Sequence, residues 1–483
     1  MSSRRLALGT IAMGVANVLK VGIQLVMLPI MARLLGPSDY GLYSLAMPIV
    51  LFVMMLADGG LGASLAREEE QNHSVWSSAF WALLISGIAM AGIVIAWSFI
   101  FAAFAGEPRL PPIMIALSPC LIFFVLSVPA YARLMRQARL EIAPLGDALG
   151  GLVGAACAIF LALHHAGAWS LVAQSFVTYL IRFLVATVAA PVIPRFHLSF
   201  SELSPHLMMG GTIVGGKLAD AGDRSIENAL MGRNFGSIEL GAFSLANQIS
   251  RFINESVSNA LWATLYAQTI GALSDEEVRN NYRNIVRLLA LLLFPIAALA
   301  AAQGDQLVKL LLGDRWSAVS PMLQVLLISG ALSIVGTLGN AVLYAKGLAR
   351  VLFRVTIETA AIRIVFVTIA PWTGIDGLIA GLAASYCYMF WRSLSQVCSI
   401  LHVRYANVFE QVRWPALSAA IVGALCALAS RSSNQGIFPM MISLFLSFLA
   451  YFLLLLLFER KKVLDDFGRL TRILRRGSIK AAT

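Results

Sequence analysis

Only 13% of the 483 residues are charged, about half of what a soluble domain carries. Long polar blocks are missing as well, since apolar stretches recur from residue 8 to residue 458. Length alone would suggest about three soluble domains, and that continuity excludes them in favour of one membrane domain. The five cysteines, Cys120, Cys157, Cys387, Cys398 and Cys426, lie in or beside apolar stretches with no CxxC or Cys/His spacing. A disulfide framework and structural zinc are both excluded. There is no Walker A loop, no GxGxxG in a βαβ setting and no HExxH, and every loop is short, roughly 20 residues at most. ATP hydrolysis and a loop-built active site have nowhere to form. The chain reads as a non-enzyme without a cofactor.

What is present is apolar surface: 59% of residues are hydrophobic and the mean hydropathy is +0.80. A transmembrane helix needs about 20 mainly apolar residues. Fourteen runs qualify, at about 8–32, 41–66, 77–102, 111–132, 144–164, 168–190, 207–231, 239–269, 284–303, 318–345, 353–371, 375–401, 412–430 and 437–458. The seventh, eighth and eleventh are weakened by charges, so hydropathy alone would return fewer. The first run follows Arg4 and Arg5 with no A-x-A-like site after it, and reads as a retained span.

The net charge of +11 is spread over short loops and one tail, which argues for asymmetry across a membrane and against nucleic acid. With a cytoplasmic N-terminus, about 23 Lys and Arg lie inside and about six outside, namely Arg33, Arg109, Arg233, Lys309, Arg315 and Arg431. Both termini are expected in the cytoplasm. After Arg460, Val463, Leu464, Phe467, Leu470, Ile473 and Leu474 share one helical side and basic residues the other, an amphipathic pattern suited to the anionic inner leaflet.

A repeat runs through the chain. Gly36, Gly41, Tyr43 and Ser44-Leu45-Ala46 follow span one, and Gly236, Gly241, Phe243 and Ser244-Leu245-Ala246 follow span seven. Six spans separate the copies, so the halves are parallel repeats. A fainter echo pairs Gly167, Leu171 and Tyr179 with Gly374, Leu378 and Tyr386.

The segment Arg33-Leu34-Leu35-Gly36-Pro37-Ser38-Asp39-Tyr40-Gly41-Leu42-Tyr43, the later Leu311-Leu312-Gly313-Asp314-Arg315-Trp316, and the spacing between them resemble the oligosaccharide flippases of the polysaccharide transporter family. That family's superfamily also holds multidrug exporters and lipid II flippases. The resemblance covers roughly residues 5 to 455. It implies an all-α polytopic fold of two six-helix lobes around a central cavity, with two extra C-terminal helices. The expected division is 1–200, 201–405, 406–460 and a basic tail at 461–483.

Charges within spans usually face a wet cavity or a partner, because each costs several kcal/mol at the bilayer centre. In span seven Lys217, Asp220, Asp223, Arg224 and Glu227 fall on an arc of about 120°. Span eight carries Asn247, Arg251, Asn254 and Ser258, with Glu255 beside them. Span one supplies Asn17, Lys20 and Gln24, and span two Asp58 next to Gly59 and Gly60. Lys20 and Lys217 hold roughly corresponding places in the two repeats and suit an anionic substrate. The bland reading is local cancellation, as between Asp220 and Arg224, with the other charges locking helices together. Glu358 and Arg363 are secondary candidates expected to pair with other spans.

Three functions follow. The leading one is a flippase for polyprenyl-pyrophosphate-linked glycan, with Lys20, Lys217, Arg224 and Arg251 as anion contacts. Asn17, Gln24, Asn247 and Asn254 are polar lining, while Asp58, Asp220 and Asp223 tune the cations or hold a coupling cation, proton or sodium. Membrane lipids and the polysaccharide polymerase and glycosyltransferase machinery are the expected partners. The second is a drug/cation antiporter of the same superfamily. The third is a membrane enzyme or scaffold of glycan assembly.

Overall fold

In lipid, each backbone N–H and C=O must be satisfied within its own segment, so apolar runs of this length fold as helices. A computed structural model describes the backbone of residues 3–482 apart from 67, 69–71, 138, 140, 370–373 and 433–435. Side chains at 3–12, 17, 63, 209–217, 219, 220, 223, 349, 431, 432, 461 and 463–482 also lie outside the described residues. Among the described residues there is no strand. The chain packs as two compact units, Met1–Gly241 and Ala242–Thr483.

The first unit holds α1 (Ser3–Leu34), α2 (Pro37–Asp58), α3 (Leu61–Leu65), α4 (His73–Ala105), α5 (Leu110–Leu117), α6 (Pro119–Arg136), α7 (Ile142–Leu163) and α8 (Trp169–Ala189). It also holds the first part of α9 (Phe200–Ile270). Its core gathers Leu65, Ala79, Leu83 and Val125 where α3, α4 and α6 meet. Residues 191–199, which join α8 to α9, are strapped to this unit: Arg133 donates to the Pro191 carbonyl at 2.7 Å and Trp81 to that of Arg195 at 2.8 Å.

The second unit continues α9 and adds α10 (Asp275–Ala302), α11 (Gly304–Leu311), α12 (Val319–Thr337), α13 (Asn340–Ala345), α14 (Ala349–Ile369), α15 (Gly374–Leu401), α16 (Tyr405–Ser432) and α17 (Ile437–Ala482). Tyr282, Leu289, Leu293, Val335 and Val397 form its main core. Two long helices are broken. α9 turns at Gly236, where φ 86° suits glycine alone, and α17 at Glu459, with φ −142° and ψ 43°. At that second break Arg287 donates to Glu459 at 2.6 Å, the pair being 3% and 6% exposed.

Eleven of the fourteen predicted spans fall on a single one of these helices, and the other three, 41–66, 111–132 and 318–345, each run over two, α2 and α3, α5 and α6, and α12 and α13. Among the described residues ten stretches are long and apolar enough to cross a membrane. The remaining predicted spans are seven and eight (both in α9), eleven (α14) and twelve (α15). Twelve joins the three that the sequence marks as weak because Asp376, Arg392 and several glycines and serines dilute its hydropathy. Large apolar side chains stand exposed along the apolar helices, such as Ile88, Phe99, Phe445 and Leu457, as expected of surfaces that meet acyl chains. The fainter sequence echo has a backbone counterpart: Gly167 and Gly374, at the turns that lead into α8 and α15, have φ of 58° and 73°.

Candidate functional site

Among the described residues of the first unit, a charged constellation within the spans joins α1, α7 and α8. Helices α7 and α8 approach closely because Gly150 and Gly154 bring no side chain to their shared face. A Cβ at Gly150 would stand 2.7 Å from the Thr178 carbonyl oxygen, and one at Gly154 would stand 2.7 Å from that of Gln174. This small-residue seam is a common way for membrane helices to pack. One turn from it, Asp147 on α7 meets Arg182 on α8, Nη1 to Oδ1 at 3.1 Å. The other carboxylate oxygen accepts from Lys20 Nζ of α1 at 2.9 Å.

Arg182 is held on its other side by α6. Its guanidinium carbon lies 4.9 Å from the Tyr131 ring centroid and 5.5 Å from that of Phe124. One carboxylate therefore serves two cations, and the triad carries a net positive charge. Its members are partly open: 38% exposed for Lys20, 20% for Asp147 and 27% for Arg182. Acyl chains cannot solvate such groups, so the open face of this triad requires water or a polar ligand.

The other residues singled out in the sequence are placed differently. Gln24 is exposed on α1. The side chains of Asn17, Lys217, Asp220 and Asp223 lie outside the described residues. Arg224 is exposed on α9 and Glu227 is buried. Asp58 Oδ1 accepts the Gly62 amide at 3.3 Å and so caps the turn into α3. Arg251 bonds Glu255 one helical turn on, at 2.9 and 3.1 Å. Asn247 is half-buried, whereas Asn254 is 3% exposed and donates to Ser250, which itself bonds the Leu326 carbonyl of α12. The described part of the span-eight stripe thus faces a neighbouring helix at Asn254 and a more open surface at Arg251.

Sequence reasoning missed Asp147 and Arg182. Their signal was a lone acid 16 residues before the end of α7 and a lone base 13 residues after the start of α8, which an antiparallel hairpin brings to similar depth. Glu358 follows the same logic, since it pairs with Arg392 of α15 and not with Arg363. Among the described residues no group of three or more His, Cys, Asp or Glu could hold a metal ion.

Long apolar helices with an intramembrane ion triad define a polytopic α-helical membrane protein. Its fold is similar to that of the lipid II flippase MurJ, a structure described as an inward closed conformation, with a TM-score of 0.78, 10% identity, and coverage of 94% of this chain and 99% of that one. Residues 30–321 match the family described as polysaccharide biosynthesis protein, and the chain belongs to it. It is 26% identical over 314 residues to the succinoglycan biosynthesis transport protein ExoT of Rhizobium meliloti (strain 1021). That match covers 64% of this chain and spans 63% of the relative's length. It is 23% identical to the lipopolysaccharide biosynthesis protein WzxC of Escherichia coli (strain K12), over 70% of each chain.

Proposed function

We propose that the chain is a flippase that carries polyprenyl-pyrophosphate-linked oligosaccharide across the bacterial inner membrane for surface polysaccharide assembly. Both termini lie in the cytoplasm, and no catalytic step is involved. The reading is supported by the family, by the relatives' roles in polysaccharide biosynthesis and transport, and above all by the Lys20–Asp147–Arg182 triad.

A pyrophosphate carries at least two negative charges and loses hydration when it leaves the leaflet surface. Fixed cations replace that hydration with charge-assisted hydrogen bonds. In the triad, Asp147 holds Lys20 and Arg182 in place while no substrate is bound. An entering pyrophosphate shares the two cations with the carboxylate, and repulsion from Asp147 keeps the anion from binding too tightly to leave. The lipid tail stays in the bilayer while the headgroup crosses by alternating access. Lys217, Arg224 and Arg251, the other cations that the sequence singles out, are further candidate anion contacts in this reading, and a proton or sodium ion is its coupling cation.

Export of surface polysaccharide tests this reading. Lys20→Gln keeps hydrogen-bonding capacity and leaves Asp147 paired with Arg182, yet removes the excess charge. It is expected to abolish export at normal protein abundance, with lipid-linked precursor accumulating in the inner leaflet, while Lys20→Arg retains part of the activity. Normal export by Lys20→Gln, Lys217→Gln and Arg251→Gln alike would overturn it. Loss of cation-coupled drug efflux in Asp58→Asn or Asp220→Asn would then favour the antiporter.

A further inference from the structure

The second unit contains a charged constellation that the sequence stripes do not include. On α14, Arg350, Arg354 and Glu358 recur at every fourth residue and so share a face. Arg392 of α15 grips Glu358 with Nε, 2.8 Å from Oε1 and 3.0 Å from Oε2. The Tyr388 hydroxyl donates to the same carboxylate. Deeper along α14, Arg363 lies over the Tyr386 ring at 5.4 Å from its centroid. Trp391 stands beside Tyr388, 6.4 Å between centroids, and is 57% exposed.

Three observations separate this cluster from a helix-locking ion pair. First, its charges do not cancel. Glu358 is already served by Arg392 and Tyr388, and Arg354, one turn before it on the same face of α14, adds a second guanidinium. Arg350 and Arg354 both stand exposed. Second, the cluster is open, with Glu358 34% and Arg392 18% exposed. Third, the cations are graded in depth. At a rise of 1.5 Å per residue, Glu358 lies about 13 Å from the start of α14, with Arg354 about 6 Å and Arg350 about 12 Å nearer that end. By the Lys/Arg asymmetry that end is the cytoplasmic one. The arrangement parallels the first unit, where an acid on one arm of a hairpin also holds an arginine on the other.

We infer that α14 and α15 form a second anion site, which takes the phosphate group of a membrane amphiphile and draws it down from the inner leaflet surface through Arg350 and Arg354 to Arg392. The guanidinium fork matches phosphate oxygens, and Glu358 orients it as Asp147 orients Arg182. The rings of Tyr388 and Trp391 give the group next to the phosphate a flat surface to lie on. This inference rests on the flippase reading for its substrate, although a phospholipid headgroup offers the same chemistry.

Binding of radiolabelled farnesyl pyrophosphate to the full-length protein in phosphatidylcholine nanodiscs tests it, with labelled farnesol as the phosphate-free control. The double variant Glu358→Gln/Arg392→Gln leaves no orphan charge, and Arg354→Gln alters an exposed residue, so both should fold. Each is expected to weaken farnesyl pyrophosphate binding about tenfold and to leave farnesol unaffected. Phosphatidylglycerol in the nanodiscs assigns the source: competition in the wild-type protein that disappears in the double variant identifies a lipid headgroup, and no competition identifies the pyrophosphate substrate. If both cluster variants bind like wild type while Lys20→Gln loses affinity, the second site does not exist and the flippase reading stands. If Lys20→Gln also binds normally, both fail.

Discussion

Gly41 and Gly241 cross in backbone contact, each set against the opening residues of the other's motif. A Cβ on Gly41 would run into the Ser237 carbonyl, and a Cβ on Gly241 would run into the Pro37 carbonyl. Gly36 aligns with Gly236 and Gly41 with Gly241, so the sixth residue of each copy meets the second residue of the other. The two copies of the repeated motif are therefore partners in space, with Ser38 and Ser237 hydroxyls 3.3 Å apart beside the crossing.

Alanine at either glycine is expected to lower thermal stability in detergent by several degrees, because backbone cannot yield as a side-chain tip can. The double alanine variant should cost less than the sum of the single ones, since both disturb one contact. Additive losses would show that the two glycines act separately.

Cysteines at Ser38 and Ser237, in a chain freed of its own five, are expected to cross-link under mild oxidation. Export should stop and should recover on reduction. Rapid cross-linking with export unaffected would mean that α2 and α9 keep this contact throughout transport.

Asp147→Asn removes the one acceptor shared by Lys20 and Arg182. Losing a partner of a buried pair costs about 3–5 kcal/mol, and the partial exposure here reduces that to about 1–3 kcal/mol. Stability should recover in part in Asp147→Asn/Lys20→Gln, where one of the two repelling cations is gone. Thermal unfolding of the three proteins gives the comparison, and equal midpoints would show that the triad is not coupled.

Outside the spans, Glu107 bonds Arg109 at 2.9 and 3.1 Å. The bond to the Arg109 guanidinium, then a hydrogen bond from Ser237 and that cation's field, outweigh partial burial and hold the Glu107 carboxyl below the usual carboxylate range. A group with a depressed folded value stabilises fully above its unfolded value and ceases to do so as pH falls through the folded one. Wild type should therefore unfold above Glu107→Gln at pH 7, and the gap should close below the pH at which folded Glu107 takes up its proton. Arg109 is 51% exposed, so the gap corresponds to less than about 1 kcal/mol. A gap that widens in acid would contradict the assignment.

The spans and the repeat were legible in the sequence because each is carried by neighbours along the chain: apolar length in one case, matching glycines in the other. The triad was not, because the meaning of Asp147 and Arg182 depends on how α7 and α8 register across a turn. Helical spacing located the face that carries Asn247, Arg251 and Asn254 but not what each residue meets. Asn254 is enclosed by Ser250 and α12 because a helix face wide enough for several residues can touch a neighbour and an open surface at once. Lys20 was singled out by its place on a polar helical face, but the carboxylate that it meets lies 127 positions away.

The buried bond between Arg287 and Glu459 has a companion two turns earlier on α17, where the Tyr451 hydroxyl donates to the Leu291 carbonyl at 3.2 Å. Residues 287 and 291 on α10 thus read off 459 and 451 on α17, like two marks on a ruler. One residue inserted between Tyr451 and Glu459 would turn the carboxylate by about 100° and break its bond to Arg287. The length of that segment is consequently inflexible. Whatever the tail beyond Glu459 does, it starts from a calibrated height.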